Sequence, residues 1–155
     1  MITALLIANR GEIAVRIART ARRLGIETIA IATEDDDGAL HTRSADRTVP
    51  VGSYLDPTAI TDAAARSGAR AVHPGYGFLA EDAGFARAVE AAGLLWVGPP
   101  PPPLGLAGDK LEARSRAARA GIPTLTSGDP DDVGYPLVVK AAGGPPPPPL
   151  RVVRS

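Results

Sequence analysis

Read for apolar and polar positions, the chain opens with a short continuous apolar run, Thr3–Ala8 (TALLIA), of the kind found in strands buried on both faces. After the polar turn Asn9-Arg10-Gly11, apolar residues recur at Ile13, Ile17, Ala21 and Leu24. That i, i+4, i+8, i+11 spacing predicts a helix from about Glu12 to Leu24, with Gly25 as its C-terminal cap. Glu27–Thr33 (ETIAIAT) predicts a second buried strand and Arg47–Val51 a short third one. Between them, the acidic stretch Glu34–Asp37 with Gly38 reads as a solvated turn. Asp56 as N-cap, Pro57 at the first position and Gly68 beyond the end bracket a helix over 57–67. Ala69–His73 predicts a fourth strand. The turn Pro74–Leu79 then leads into a helix over 81–92, closed by Gly93, and Leu94–Val97 predicts a fifth strand.

Strands and helices alternate along this stretch, the pattern of an α/β fold built on a parallel sheet with helices on both faces. Right-handed crossovers make the layout Rossmann-like. Beyond Val97 the pattern changes. The run Pro99–Pro103, stiff and without N–H donors, reads as a boundary that closes a first domain at residue 103. A helix over 108–120, ended by Gly121-Ile122-Pro123, and a polar loop over 127–134 then form a linker region spanning 104–134. Tyr135–Lys140 predicts a strand and Leu150–Val153 a return strand, joined by a loop that contains Pro145–Pro149. A hairpin over 135–155 has nothing to pack on and is marginal alone, so the second domain is expected to be incomplete.

The 17 basic and 17 acidic residues leave no net charge, which argues against a nucleic-acid partner. The absence of cysteine excludes a disulfide scaffold, a zinc–thiolate site and a catalytic thiol. No apolar run approaches the ~18 residues of a membrane span, and no signal-type segment opens the chain, so the expectation is a cytoplasmic protein without a membrane partner. Of the 17 basic residues only Lys110 and Lys140 are lysines. Lys140 ends a buried-type strand ahead of Gly143-Gly144, an arrangement in which an ammonium and loop N–H groups can meet phosphate oxygens.

Other candidate chemistry is thinner. Gly75–Ala80 superficially fits the G-x-G-x-x-A dinucleotide fingerprint, but it follows the fourth strand rather than the first. No acidic residue stands about 20 positions later, near Trp96, to bind a ribose. His73 lacks partners spaced for a triad and reads as a structural histidine. Asp35, Asp36 and Asp37 lack the alternating oxygens and distal Glu of an EF-hand, so no metal site is assigned. Arg16, Arg19 and Arg23 share a helix face, with Glu12 one turn before Arg16 and able to pair with it.

Leu6-Ile7-Ala8-Asn9-Arg10-Gly11-Glu12-Ile13-Ala14 and His73-Pro74-Gly75-Tyr76-Gly77-Phe78-Leu79 resemble the two hallmark motifs of biotin carboxylases. Val97-Gly98-Pro99, Gly108-Asp109-Lys110, Gly134-Tyr135-Pro136 and Val139-Lys140-Ala141 continue the resemblance in family order. It implies a Rossmann-like N-terminal domain followed by a lid and an ATP-grasp body. The implied reaction is ATP- and Mg2+-dependent carboxylation of biotin on a carrier protein, by way of carboxyphosphate. By resemblance Lys110 and Lys140, with Gly143 and Gly144, contact the ATP phosphates, and Tyr76 and Gly77 border biotin. Arg16 and Arg19 correspond to a homodimer interface, and the wider partners are a biotin carboxyl carrier and a carboxyltransferase.

Departures from the family pattern shape the expectation. The glycine-rich lid loop is replaced after Gly144 by Pro145–Pro149, and the residues after Pro99 are replaced by Pro100–Pro103. Only Asp129–Val133 stands where a helix normally precedes Gly134-Tyr135-Pro136. The magnesium carboxylates and catalytic residues belong to the ATP-grasp body, so no catalytic residue is assigned and the chain alone is expected to be inactive. Two alternatives stand beside this reading: a non-catalytic assembly or dimerisation module, and an NAD(P)-dependent oxidoreductase using Gly75–Ala80.

Overall fold

The structure is a computed structural model that describes residues 1–125, 128, 130–139 and 151–154. Strands β1 (Ala4–Ile7), β2 (Glu27–Ala32), β3 (Arg47–Pro50), β4 (Ala71–His73) and β5 (Leu95–Trp96) form one sheet in the order β3-β2-β1-β4-β5. Every neighbouring pair is parallel, with Leu6 of β1 opposite both Ile29 and Val72. The chain builds outward from β1 to β3, then crosses back over β1 to lay down β4. The strand order therefore reverses between β1 and β4, the place where open α/β sheets form their ligand crevice.

Helices cover both faces because the strands alternate. Leu5, Ile7 and Ala71 point to α1 (Gly11–Arg23), which meets them with Ala14, Ala18 and Ala21. Leu6, Ala8, Ile29, Ile31 and Val72 point the other way. There they meet Ile60, Ala63 and Ala64 of a later helix, Pro57–Arg66, and Phe85, Ala86 and Val89 of another, Ala83–Ala91. Phe85 is fully buried and meets Trp96 edge-on at 5.5 Å. Burying a side chain of that kind contributes roughly 1.5–3 kcal/mol. The buried stripe of α1 is one position round from the Ile13, Ile17, Ala21 and Leu24 face the spacing predicts. Alanines let the helix approach the sheet closely, while Ile13 and Ile17 are half-buried and Leu24 is 69% exposed.

Several other elements differ from the sequence expectation. The acidic stretch is a 3-10 turn, Glu34–Asp36, in which Asp36 is buried, and it leads into the five-residue helix α2 (Leu40–Ser44). Counting on from α2, α3 is Pro57–Arg66 and α4 is Ala83–Ala91. The helix expected over 81–92 begins late because the Asp82 carboxylate accepts from the Gly84 and Phe85 N–H groups and starts α4 there. A separate 3-10 turn, Phe78–Glu81, precedes it.

The first proline run is not simply a boundary: Pro101–Pro103 form the opening turn of α5 (Pro101–Gly108). Proline is tolerated there because first-turn N–H groups have no intrahelical acceptor and its φ already suits a helix. The helix expected over 108–120 begins instead as α6 (Lys110–Arg119), with the Asp109 carboxylate accepting from Leu111 and Glu112 N–H.

The chain divides into two compact units, Met1–Leu104 and Gly105–Ser155. The second contains α6, the short helix α7 (Pro130–Val133) and an antiparallel pair, β6 (Leu137–Val139) and β7 (Arg151–Val153), with Val138 opposite Val152. Glu112 and Arg116 pair one turn apart on α6 at 2.8 Å. Lys140, Gly143, Gly144 and Pro145–Pro149 lie outside the described residues. Among the described residues no helix is long and apolar enough to cross a membrane.

Candidate functional site

Two turns flank the strand-order reversal, one after β1 (Ala8–Gly11) and one after β4 (Pro74–Phe78). Asn9 joins them. Its side chain is fully buried, and Nδ2 donates to the Pro74 carbonyl at 2.7 Å and the Tyr76 carbonyl at 3.0 Å. Its Oδ1 accepts from the Arg10 N–H at 2.9 Å. A buried amide satisfied this way stabilises the pairing, and one left without partners would cost about 1–3 kcal/mol.

The β4 turn tolerates little else. Gly75 has φ +69°, and a Cβ there would stand 2.5 Å from Ile13 Cγ2 and 2.8 Å from Asn9 Nδ2. Gly77 has φ +68° but open space within 4 Å of where a Cβ would be, so its constraint is conformational. Phe78 follows at φ 45°, an unfavourable region for a bulky residue that costs on the order of 1–3 kcal/mol unless its surroundings hold it. His73 closes the turn from below, its Nδ1 accepting from the Gly75 N–H at 3.0 Å. That bond requires a neutral ring, and burial holds the imidazole pKa below its ordinary value. The structure thus gives His73 a structural task.

Tyr76 is exposed, and its hydroxyl donates to the Glu12 carboxylate. That bond raises the phenol pKa, with partial desolvation and the Glu12 charge acting in the same direction. The Glu12–Arg16 pair expected from helical spacing is not formed. Glu12 turns to the β4 motif instead, and the Arg16 guanidinium donates to Thr20 Oγ1.

A residue that sequence reasoning missed, Tyr54, sits beside both turns. It is buried, its ring stacks on Phe78 at 5.6 Å and 21°, and the Arg10 guanidinium lies 5.6 Å from its centroid. Its hydroxyl donates to Asp36 Oδ2 at 2.7 Å, with the Ile31 carbonyl and His41 Nε2 each at 3.1 Å. Asp36 also accepts from Thr33 N–H at 2.9 Å and Oγ1 at 2.8 Å. Burial pushes the Asp36 carboxyl up, but these donors and nearby His41 outweigh it and hold the pKa below 3.8. Burial, then the bond to Asp36 and its charge, pushes the Tyr54 phenol well up. Tyr54 comes from a loop, Asp36 from a 3-10 turn and His41 from the five-residue α2, segments too short to carry a periodic signal. Their one legible clue is that each follows β2 or β3, whose ends meet at the same sheet edge.

The remaining expected residues are placed as follows. Arg16 and Arg19 are exposed on α1. Lys110 is the exposed first residue of α6, in the second unit. Asp109 already occupies the N–H groups of Leu111 and Glu112, so a phosphate at Lys110 would be met by its ammonium. Among the described residues no group of three or more His, Cys, Asp or Glu side chains could hold a metal ion, and no magnesium site is assigned to them. Gly77 is exposed, with open space where a Cβ would stand, so its backbone can be approached by a ligand. A shallow depression lined by Thr33–Asp35, Thr48 and Pro50–Gly52 includes none of the residues of the two turns.

Comparison with known proteins gives a consistent result. Residues 1–104 match the family described as biotin carboxylase, N-terminal domain. The chain is 44% identical to the biotin carboxylase of Pseudomonas aeruginosa, over 99% of its own length and 38% of that protein. It is 43% identical to the mitochondrial methylcrotonoyl-CoA carboxylase subunit alpha of Oryza sativa, over 97% of its own length and 23% of that protein. Among solved structures, it matches the biotin carboxylase domain dimer of Hydrogenobacter thermophilus 2-oxoglutarate carboxylase, solved with MgADP, ADP and bicarbonate. The TM-score there is 0.92 at 37% identity, covering 99% of this chain and 38% of that one. The chain therefore spans well under half the length of these relatives.

Proposed function

Because the chain belongs to the biotin carboxylase N-terminal domain family over residues 1–104, we propose that it forms the N-terminal part of a biotin carboxylase. The reaction is ATP-dependent carboxylation of carrier-borne biotin with bicarbonate. The observation that carries this reading is the Asn9 clasp, which joins the two family motifs into one wall at the strand-order reversal. Tyr76 and Gly77 border the biotin ring on that wall. Gly77 offers bare backbone to a flat ligand, and Glu12 holds the Tyr76 hydroxyl.

Residues 1–103 serve as the Rossmann-like domain, 104–134 as a linker helix and loop, and 135–155 as an incomplete ATP-grasp lid. Lys110 and Lys140, with Gly143 and Gly144, contact the ATP phosphates, a role that suits a compact ammonium on a flexible stem. When bound, MgATP supplies the phosphoryl group that activates bicarbonate. This chain's part is to shape and fix the biotin wall. Arg16 and Arg19, exposed on α1, belong to a homodimer interface, and the carrier and carboxyltransferase are the further partners. A cytoplasmic setting is part of the same proposal.

The test is a chimera in which residues 1–104 replace the matching segment of the Pseudomonas aeruginosa biotin carboxylase, a 44% identical relative. Biotin- and bicarbonate-dependent ATP hydrolysis by the chimera, and none by the 155-residue chain alone, is the expected result. A folded chimera that hydrolyses no ATP in response to biotin would overturn the proposal.

A further inference from the structure

Tyr54 lies outside both motifs yet touches each. Its ring stacks on Phe78 of the β4 turn and carries the Arg10 guanidinium of the β1 turn. The two ends of the β4 turn are held by different devices. Asn9 fixes the first half through the Pro74 and Tyr76 carbonyls, and the Phe78 ring on Tyr54 fixes the second. Phe78 needs that support, because an aromatic residue at φ 45° relaxes away unless its side chain is held. Tyr54 is itself immobilised. Its hydroxyl meets Asp36, His41 and the Ile31 carbonyl, and Asp36 is tied to Thr33 by two further bonds.

We propose that Tyr54, locked by Asp36 and His41, is a positioning residue for the biotin-facing turn Gly75–Phe78. This rests on the assignment of Tyr76 and Gly77 to the biotin wall. Biotin's ureido ring carries no charge, so its recognition depends on backbone and ring surfaces held within roughly 0.5 Å of the productive geometry. A buried tyrosine that braces both motif turns supplies that rigidity without touching the ligand.

Two variants separate the ring from its anchor: Tyr54→Leu removes the platform, and Tyr54→Phe keeps the ring but loses the hydroxyl bonds. In the full 155-residue chain, amide hydrogen exchange is followed at Gly75 and Ala80, whose N–H groups are bonded to His73 Nδ1 and the Gly77 carbonyl, and, for reference, in β1 and β4. Tyr54→Leu should speed exchange at the turn at least about tenfold more than in the strands, with Tyr54→Phe intermediate. Uniform acceleration throughout, or none at the turn, would overturn the proposal. In the chimera, Tyr54→Leu should raise the KM for biotin about tenfold while leaving the KM for ATP unchanged. An active wild-type chimera whose biotin KM does not respond to Tyr54→Leu also overturns it. A wild-type chimera with no biotin-dependent activity counts against the biotin carboxylase reading instead, and the exchange measurement still decides whether Tyr54 positions the turn.

Discussion

At the scale of single residues, Gly75→Ala tests how closely the two turns pack. The added methyl group would meet Ile13 and Asn9 below 3 Å, on a backbone with φ +69°. Left-handed backbone costs an L-residue roughly 1–2 kcal/mol and overpacking about 1–3 kcal/mol, so a loss of about 2–5 kcal/mol is expected. Urea unfolding followed by Trp96 fluorescence measures it, and a loss near zero would show that the two turns are not pressed together.

His73 makes a second prediction. Its folded-state pKa lies below 6.5 because burial disfavours the cation, and protonation would also break the Nδ1 bond to Gly75 N–H. The unfolded chain therefore binds the proton first as pH falls. The His73 contribution is whole above about pH 6.5 and is lost as pH falls from there towards the lowered folded value. His73→Asn, whose carbonyl can still accept, should flatten the fall in urea midpoint between about pH 7.5 and 5.5. An unchanged slope would contradict the structural role. The sequence makes His73 legible as structural, but not its partner, because the Gly75 N–H is aimed only once the turn is built.

At the scale of elements, legibility followed length and periodicity. The strands Ala4–Ile7 and Glu27–Ala32 and the helix Pro57–Arg66 lie where their apolar runs and caps predict. The helix Leu40–Ser44 spans little more than a turn, too short to show a period, and its place depends on His41 bonding to Tyr54 from another loop. The proline run stands beside the division between the two compact units, but the helix it opens is not legible in the sequence. Missing N–H groups signal a helix breaker in an interior but are harmless in a first turn, and only the following Leu104, buried in the core, shows which case applies. The cap of α4 offers an element-scale test. Asp82→Ala leaves the Gly84 and Phe85 N–H groups without their acceptor at the start of the helix that buries Phe85 and Val89. A destabilisation of about 0.5–2 kcal/mol in urea is expected, and none would mean that α4 starts without its cap.

Across the whole molecule, the order β3-β2-β1-β4-β5 does the decisive work. It sets two motifs more than sixty residues apart on adjacent strands, so that one asparagine can bond across them. The fold class and both motifs were legible in the sequence, whereas the clasp was not. Asn9 lay in plain view in the first motif, but its acceptors are main-chain carbonyls, which no side-chain pattern records. The Tyr54 brace was further hidden, since its parts come from short segments after β2 and β3. If the clasp holds the proposed biotin wall, the biotin KM of Asn9→Ala in the chimera of residues 1–104 reports it. Of the three hydrogen bonds this removes, the two to the Pro74 and Tyr76 carbonyls, at about 0.5–1.5 kcal/mol each, should raise this KM roughly 5- to 150-fold. The KM for ATP, measured on the same preparation, should stay at the wild-type value and report that the enzyme is folded. An Asn9→Ala chimera with wild-type KM values for both biotin and ATP would contradict the claim.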